Sequence, residues 1–290
     1  MKYIILANSN DKTFDIPRQL VEINGEKLIE RTIRLLKKYG VENIIITAHD
    51  ERFKGLGVDV YEPSSCNYDY ATGEGYWLNA FPFEMMNEPV CFIWGDVYFS
   101  DEAIKTIVET ETDSTLFFCT YNNESELYIK HHDEPLAYKI IDTELFKEHI
   151  TRVKKMYDDG LCCRHPIVWE VYRSINGTDV NTHVMTNNFV AINDISCDID
   201  SMNDLEEIRK KAGGVKMVKC RVIKDFTLKD FDKLVDIKRK SLEQKGKLFL
   251  GDTFECTDEM AKYLLGDNDS QSVVIEIIET KPKEAKKKKK

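Results

Sequence analysis

Three aspartates stand at positions where a metal ion could bind. One glycine separates Asp96 from the apolar run Val90–Trp94. Asp198 and Asp200 have one isoleucine between them, and in an extended chain this alternation directs both carboxylates to one side. Carboxylate oxygens are the ligands that Mg²⁺ prefers, so we predict Asp96, Asp198 and Asp200 as metal ligands. The alternatives are a turn or capping role for Asp96, and a helix capped by Ser201 after the other two.

A polar segment follows the first apolar run of the chain and could hold phosphate. At this place in nucleotide-binding α/β proteins, backbone amides and a basic side chain cradle phosphate groups. The candidates for nucleotide binding are Ala7, Asn8 and Ser9, and the candidates for a catalytic role are Lys12 and Arg18. Between Asn8 and Arg18 there is no glycine, which limits how closely the backbone approaches a triphosphate. An ordinary polar loop is the alternative.

A second candidate for nucleotide binding is the short stretch Gly73, Glu74 and Gly75. Glycines in a loop that enters a helix allow the backbone to press against a flat nucleobase. We therefore expect these three residues, together with Asp96, to contact the nucleotide. A helix-entry turn without a binding role explains the same residues equally well.

The elements that would position these residues alternate along the chain. Apolar runs predict strands at 3–7, 44–48, 58–61, 90–94, 116–120, 137–141 and 189–192. Helical patterns predict helices at 27–39, 76–86, 143–157, 168–175 and 203–211. Such alternation is typical of an α/β fold, here a Rossmann-like, doubly wound and mostly parallel sheet. Ligands of these sheets bind outside the carboxyl ends of the strands, where Asn8 and Asp96 are expected to lie.

Four segments in this order resemble the signature of sugar-phosphate nucleotidyltransferases and molybdenum-cofactor guanylyltransferases. The first is a strand ending in Leu-Ala, followed by proline with a basic residue and a Gly-containing turn. The others are a glycine-containing helix entry, a strand ending in Gly-Asp, and an Asp-Ile-Asp element. In this chain they are Ile5–Ile29, Thr72–Ala80, Ile93–Phe99 and Cys197–Glu206. The resemblance implies a fold of the nucleotide-diphospho-sugar transferase type.

The resemblance also implies an activity. It is the Mg²⁺-dependent transfer of an NMP from an NTP to a sugar phosphate or similar phosphorylated acceptor, with release of pyrophosphate. In that mechanism Asp96 with Asp198 or Asp200 binds Mg²⁺, and Arg18 or Lys12 stabilises the departing pyrophosphate.

The chain departs from the family in its first loop. The family has a glycine-rich loop and a lysine after the proline, whereas this chain has a glycine-free loop and Arg18. Arginine keeps the charge and offers a bidentate grip on phosphate, but with a different geometry. Two alternatives follow: a glycosyltransferase of related fold that uses an NDP-sugar, and a catalytically degenerate nucleotide-binding scaffold.

The charge of the chain argues against nucleic acid as a partner. The 290 residues carry a formal net charge of −10, and the last ten carry +6 from seven lysines and one glutamate, which leaves −16 for the rest. A surface of that sign repels a phosphate backbone. No apolar stretch reaches the roughly 20 residues that cross a bilayer, so we expect no membrane contact. Eight scattered cysteines without metal-site spacing favour a cytoplasmic, reducing environment.

Two consecutive glycines, Gly213 and Gly214, mark a predicted domain boundary. We expect a nucleotidyltransferase-like domain over 1–212, a small α+β or β module over 215–279, and a disordered lysine-rich tail over 280–290. The module loosely resembles small β modules of bacteriophage-encoded proteins, which implies a protein partner. We expect the three tryptophans of the chain to pack in the core of the first domain.

Overall fold

The computed structural model describes most of the first 212 residues and parts of the remainder. The described residues are 1–8, 14–64, 74–121, 133–212, 217–223, 226–227, 247–248, 253–257, 265 and 275–280. The chain divides into two compact units, Met1–Ile208 and Arg209–Lys290. The domain limits expected at 212 and 215 stay a prediction.

The first unit contains short strands that are mostly apolar and buried. In chain order they are β1 (Lys2–Leu6), β2 (Glu22–Ile23), β3 (Glu26–Lys27), β4 (Ile44–Thr47), β5 (Asp59–Tyr61), β6 (Val90–Trp94), β7 (Val97–Tyr98), β8 (Leu116–Cys119), β9 (Pro135–Ile140), β10 (Phe189–Ala191) and β11 (Cys197–Asp198). Strands β2 and β3 form a hairpin, and β7 pairs with β11.

Seven of these strands form one central sheet in the order β10-β8-β9-β6-β1-β4-β5. Neighbouring strands run parallel except at β9, which is antiparallel to both β6 and β8. Strand β1 lies between β4 and β6 and is parallel to both. This topology confirms the predicted α/β class with a mostly parallel sheet.

Helices cover both faces of the sheet. They are α1 (Leu28–Lys38), α2 (Asp101–Glu109), α3 (Thr143–Asp158) and α4 (Val168–Ile175). A fifth helix, α5 (Met202–Ala212), follows β11 in the chain. Apolar residues of α1 and α2 pack with Ile5 in one core, and those of α3 and α4 pack with Ile4 in a second core. Ile4 and Ile5 are both fully buried because successive residues of a strand face opposite layers. Burying a side chain of this size contributes about 1.5–3 kcal/mol.

The sequence did not predict helix α2. Its start carries a clear capping signal, because Ser100 precedes Asp101 and Glu102, and the Ser100 hydroxyl accepts a hydrogen bond from the Ala103 amide at 2.9 Å. The two acidic residues lie in the first turn, where the helix dipole favours negative charge. A short helix of nine residues offers little periodicity, so the cap was the available signal.

The helix predicted over 76–86 is wrong. The structure has two single 3₁₀ turns there, Trp77–Ala80 and Phe83–Met85. Pro82 separates them, because proline has no backbone N–H to donate and its ring disfavours a helical conformation in the residue before it. Phe81 is accordingly extended, with φ −89° and ψ 102°.

Gly95 allows two strands to approach at the edge of the sheet. Its amide donates to the Leu6 carbonyl at 2.9 Å, directly after the end of β6. A Cβ at this position would lie 2.8 Å from the Leu6 carbonyl oxygen and 3.1 Å from Cγ of Gln19. Glycine is therefore the residue that lets the chain leave β6 close to β1.

The second unit contains strands β12 (Met217–Val222), β13 (Phe226–Thr227), β14 (Lys247–Leu248), β15 (Thr253–Thr257) and β16 (Ile275–Thr280). Strand β12 pairs antiparallel with β15 on one side and β16 on the other, and β13 pairs with β14. Of the tail predicted over 280–290, Thr280 ends β16, and residues 281–290 lie outside the described residues. Within the described parts of both units, no helix has the length and apolarity of a membrane span.

Candidate functional site

A cleft of about 220 Å³ opens at the carboxyl ends of β1 and β6. Its described lining residues come from positions that are far apart in the chain: Leu6, Asn8, Arg18, Gln19, Trp77, Ala80, Trp94, Asp96, Glu134, Pro135, Ile167, Val168, Asp198 and Asp200. After β1 the chain passes through α1 to β4 on one side, whereas β6 lies on the other side of β1. The cleft therefore lies at a topological switch point, where open α/β sheets bind their ligands.

Arg18 is the central cation of the cleft and is only 6% exposed. It begins a 3₁₀ turn directly after Pro17, so the proline fixes the chain direction from which the guanidinium enters the cleft. Its Nη1 donates to Oδ1 of Asp200 at 2.5 Å and to the Ile199 carbonyl at 3.2 Å. Its Nη2 lies 3.4 Å from Oδ2 of Asp96. One guanidinium thus contacts two of the three predicted metal ligands.

Strand pairing brings the distant carboxylates together. In the short pair β7 and β11, Asp198 lies opposite Val97, and the Ile199 amide donates to the Asp96 carbonyl at 2.9 Å. The Asp96 side chain is 17% exposed and that of Asp200 is 54% exposed. Asp96, Asp198 and Asp200 therefore share one cleft although about 100 positions separate the first from the others.

The capping role considered for Ser201 is confirmed. The Asp204 amide donates to the Ser201 hydroxyl at 3.2 Å, and Oδ2 of Asp204 accepts from the Asp200 and Ser201 amides at 3.1 and 3.0 Å. This arrangement fixes the start of α5 and leaves the side chain of Asp200 directed to Arg18. Capping and a place in the cleft are thus compatible in this segment.

Two amide side chains that line the cleft, those of Asn8 and Gln19, carry polar atoms that have no hydrogen-bond partner within the described structure. Nδ2 and Oδ1 of Asn8 and Oε1 of Gln19 are buried and have no such partner. Gln19 is 1% exposed. Buried polar groups without partners are costly, so a change of side-chain conformation that brought these atoms to a ligand would gain hydrogen bonds.

Other lining residues of the cleft are aromatic or aliphatic. The rings of Trp77 and Trp94 have centroids 4.9 Å apart and an interplanar angle of 53°. The indole N–H of Trp94 donates to the hydroxyl of Tyr138 at 2.5 Å. Burial raises the pKa of the Tyr138 hydroxyl well above its usual value, so this group stays neutral.

His165 holds the backbone next to this aromatic part. The Trp77 amide donates to Nε2 of His165 at 3.2 Å, a bond that requires an unprotonated nitrogen. Desolvation lowers the pKa of His165 below its ordinary value of 6.5, which favours the neutral ring. The position of Trp77 is therefore linked to the neutral form of His165.

The donor chemistry of the cleft fits Mg²⁺, although no protein cage is present in the part of the chain that the structure describes. There, no group of three or more His, Cys, Asp or Glu side chains is arranged to hold a metal. Mg²⁺ needs no such cage, because it commonly takes one or two carboxylates and completes its shell with substrate phosphates and water. Asp96, Asp198 and Asp200 supply hard oxygen atoms of that kind. Their role as metal ligands stays a prediction.

Only some of the residues predicted to contact the nucleotide line the cleft. Asn8 and Asp96 line the cleft, whereas Ala7 is buried at the end of β1, where its amide donates to the Thr47 carbonyl at 3.0 Å. Glu74 and Gly75 are exposed and are not among the described residues that line the cleft. Ser9, Lys12 and Gly73 lie outside the described residues, so their predicted roles stay predictions.

The sequence did not single out the two tryptophans of the cleft. Trp169 is buried as expected, at 4% exposure, but Trp77 and Trp94 are only partly buried and line the cleft. The available signal was position, since Trp94 ends β6 two residues before Asp96. Gln19, which follows Arg18 in the same turn, was identifiable in the same way.

No family model matches the chain, and no curated protein matches it in sequence. Solved structures do resemble it. An inositol-1-phosphate CTP transferase from T. maritima is 14% identical, with 73% of this chain and 96% of that chain covered and a TM-score of 0.45. A CTP:phosphocholine cytidylyltransferase from Streptococcus pneumoniae is 19% identical, with 72% and 97% covered and a TM-score of 0.41.

A 2-C-methyl-D-erythritol 4-phosphate cytidylyltransferase from Thermus thermophilus is 12% identical, with 73% of this chain and 98% of that chain covered and a TM-score of 0.48. Likenesses at these identities and TM-scores do not bear on activity. The fold class rests on the sheet topology.

Proposed function

We propose that the chain is a nucleotidyltransferase that moves an NMP from an NTP to a phosphorylated acceptor. The observation that carries the proposal is the meeting of Arg18, Asp96 and Asp200 in the cleft at the switch point of the sheet. A cation for phosphate and oxygen ligands for a divalent ion are the two components that phosphoryl chemistry requires. A guanidinium and carboxylates of this kind line the cleft beside the end of β1, which supports the proposal.

The proposed reaction needs no nucleophile from the protein. A phosphate oxygen of the acceptor attacks the α-phosphorus of the NTP, and a new P–O bond forms. The bond between the α-phosphorus and the oxygen that bridges to the β-phosphate breaks in line with the attack. Pyrophosphate leaves with that oxygen and its electron pair. The acceptor phosphate is already ionised near neutral pH, so no protein group has to remove a proton.

The protein's own residues bind and orient in this scheme. Asp96, with Asp198 or Asp200, would hold Mg²⁺, which when bound neutralises phosphate charge. Asn8 and Gln19 line the cleft and carry buried polar atoms that have no hydrogen-bond partner in the described structure. We predict that Arg18 moves from the carboxylates to the phosphates when the metal–nucleotide complex binds, because its guanidinium then stabilises the charge on departing pyrophosphate. Lys12 is predicted to share that role.

Pyrophosphate release by the full chain tests the proposal. The assay combines each NTP with Mg²⁺ and a panel of phosphorylated acceptors, and compares the wild type with Asp96→Asn. We expect release with one NTP that depends on the acceptor, and a loss of orders of magnitude in the variant. The amide keeps the size of the side chain but removes the charged ligand, so the variant should fold with an unchanged circular dichroism spectrum.

Asp159→Asn is the matched control, because Asp159 is an exposed aspartate that pairs with Lys155 outside the cleft. It should release pyrophosphate at the wild-type rate. Equal activity of Asp96→Asn and Asp159→Asn would remove Asp96 from the site. Consumption of an NDP-sugar with no pyrophosphate release would instead identify a glycosyltransferase.

A second candidate function is nucleotide binding without turnover. The observation that favours it is that Arg18 already neutralises Asp96 and Asp200, so the catalytic cation and the metal ligands satisfy one another. The same assay separates the two functions. Mg²⁺-dependent stabilisation by an NTP, combined with no pyrophosphate from any acceptor, would identify the scaffold.

A further inference from the structure

The cleft is lined by two chemically different sets of residues. Asn8, Arg18 and Gln19 follow β1 and are polar, and together with the aspartates they form the set assigned above to the phosphates. The other set, called here the aromatic wall, consists of Trp77, Ala80, Trp94, Pro135, Ile167 and Val168. It comes from the 3₁₀ turn Trp77–Ala80, the end of β6, the start of β9 and the start of α4. A ligand that fills the cleft therefore meets phosphate-binding groups as well as the aromatic wall.

The two indoles form an open angle in this wall. Their centroids lie 4.9 Å apart and their planes meet at 53°, so they do not stack face to face. The N–H of Trp94 is satisfied by the hydroxyl of Tyr138 at 2.5 Å, so this indole has no polar atom left for a ligand. It can offer a ligand only its π surface.

The charge of the cleft favours a cation beside those rings. The described lining residues include four carboxylates, those of Asp96, Glu134, Asp198 and Asp200, and one guanidinium, that of Arg18. Arg18 pairs with Asp96 and Asp200, so the described lining keeps an excess of negative charge. Glu134 directly precedes Pro135 of the aromatic wall. A negative potential together with aromatic faces is the combination that recognises substituted ammonium groups.

A hydroxyl-rich acceptor fits the aromatic wall less well. Each hydroxyl that leaves water needs a hydrogen-bond partner, or its burial is costly. Among the described residues of the wall, the side chains are apolar or aromatic, and Glu134 is the neighbouring polar group. A methylated ammonium group has no such requirement, because it has few or no donors to satisfy.

We propose that the acceptor carries a substituted ammonium group, which binds against Trp77 and Trp94 while its phosphate lies toward Arg18. This inference rests on the proposed nucleotidyl transfer and names the class of acceptor for it: a phosphate ester of an alkylammonium alcohol rather than of a sugar. The indoles attract the cation through their π faces, and the nearby carboxylates add to that attraction.

The test compares two probes that differ only in charge. Choline phosphate carries a trimethylammonium group, and 3,3-dimethylbutyl phosphate replaces it by an uncharged tert-butyl group of the same shape. Binding of each to the full chain is measured by calorimetry. We expect choline phosphate to bind about 5- to 30-fold more tightly, which corresponds to about 1–2 kcal/mol of cation–π attraction. Equal affinity, or a preference for glucose 1-phosphate, would overturn the inference.

Intrinsic fluorescence reports the same event at the rings. The chain has three tryptophans, and Trp169 packs away from the cleft against Tyr172 and His183. In Trp169→Phe the two remaining indoles both line the cleft, and choline phosphate should change their emission. Trp77→Leu should weaken binding of the cation more than binding of the uncharged probe, whereas Trp77→Phe should retain part of the preference. Thermal unfolding of each variant confirms that it is folded.

The outcomes separate this inference from the proposed function. Preference for the cationic probe without pyrophosphate release from any NTP would support the ammonium site and refute the transferase. Pyrophosphate release with a sugar phosphate, together with no cation preference, would support the transferase and refute the ammonium site. Displacement of choline phosphate by a nucleoside alone would place the nucleobase on the aromatic wall and refute the inference.

Discussion

Replacing Arg18 by glutamine should destabilise the first unit, and Mg²⁺ should restore part of the loss. The substitution removes the charge-assisted hydrogen bond to Asp200 and the cation 3.4 Å from Asp96. A hydrogen bond to a charged group contributes about 1.5–3 kcal/mol, and the half-exposed Asp200 side chain places this one near the lower limit. Loss of the counter-ion of Asp96, which is 17% exposed, adds to that.

We therefore expect a loss of about 2 kcal/mol, or about 4–8 °C in the unfolding temperature of a unit of this size. In the variant, two carboxylates that shared a guanidinium face each other without it, so they should bind a divalent cation more tightly than in the wild type. A Mg²⁺ concentration of about ten times its Kd would return about 1.4 kcal/mol. Thermal unfolding with and without MgCl₂ at constant ionic strength measures both effects.

Arg34→Gln is the matched control for Arg18→Gln. Arg34 makes a bidentate contact with Glu26 at 2.6 and 2.8 Å, but it is 52% exposed and lies outside the cleft. Exposed pairs contribute about 1 kcal/mol or less, so this variant should lose little stability and show no response to Mg²⁺ beyond that of the wild type. Equal behaviour of the two variants would refute the role of Arg18 as the internal counter-ion of the cleft.

Three further predictions concern the frame of the cleft. Gly95→Ala should cost about 1–3 kcal/mol in urea unfolding, because its Cβ would meet a backbone carbonyl at 2.8 Å; an unchanged midpoint would refute the close approach. In the unfolded chain His165 binds a proton near pH 6.5, whereas the folded ring binds it only at lower pH. The free energy of unfolding should therefore fall as the pH drops from 6.5 through the lowered pKa of His165. His165→Gln should reduce that slope, because the amide oxygen accepts from the Trp77 amide without titrating. Ser100→Ala should cost about 1 kcal/mol through loss of the cap of α2, and a thermal shift near zero would contradict it.

The sheet was predictable because its strands are continuous apolar runs. Buried parallel strands read as unbroken stretches of Ile, Val, Leu and Phe, and Ile44–Thr47 and Val90–Trp94 both have this form. Helix α1 was predictable from its single apolar face and from Gly40, which ends it with a positive φ of 82°. These signals are local, so the sequence alone carries them.

The segment 76–86 shows where local patterning misled. Its apolar residues are spaced as in a helix, but Pro82 interrupts the backbone hydrogen bonds, and the residues pack as two 3₁₀ turns against the second core. The rule on proline was available, and it outweighs periodicity here. Helix α2 was missed for the opposite reason, since a short helix shows little periodicity and is marked mainly by its cap.

Individual residues of the candidate site were predictable from the sequence, but the contacts between them were not. Asp96, Asp198 and Asp200 were recognised from their places after apolar segments. That Arg18 contacts Asp96 and Asp200 depends on the pairing of β7 with β11, which joins segments about 100 residues apart. Trp77 and Trp94 were assigned to the core because exposure to a cleft depends on the tertiary arrangement, which residue type does not encode.

The fate of the α-phosphorus is the most direct test of the proposed function. The full chain is incubated with Mg²⁺, choline phosphate or a sugar phosphate as acceptor, and an NTP that carries isotopic label on the α-phosphate. We predict that the label appears in the acceptor product, joined through a new diphosphate linkage, and that pyrophosphate is released unlabelled in equal amount. Label that stays in intact NTP with every acceptor, or that leaves as NDP while the acceptor gains an unlabelled phosphate, would contradict nucleotidyl transfer.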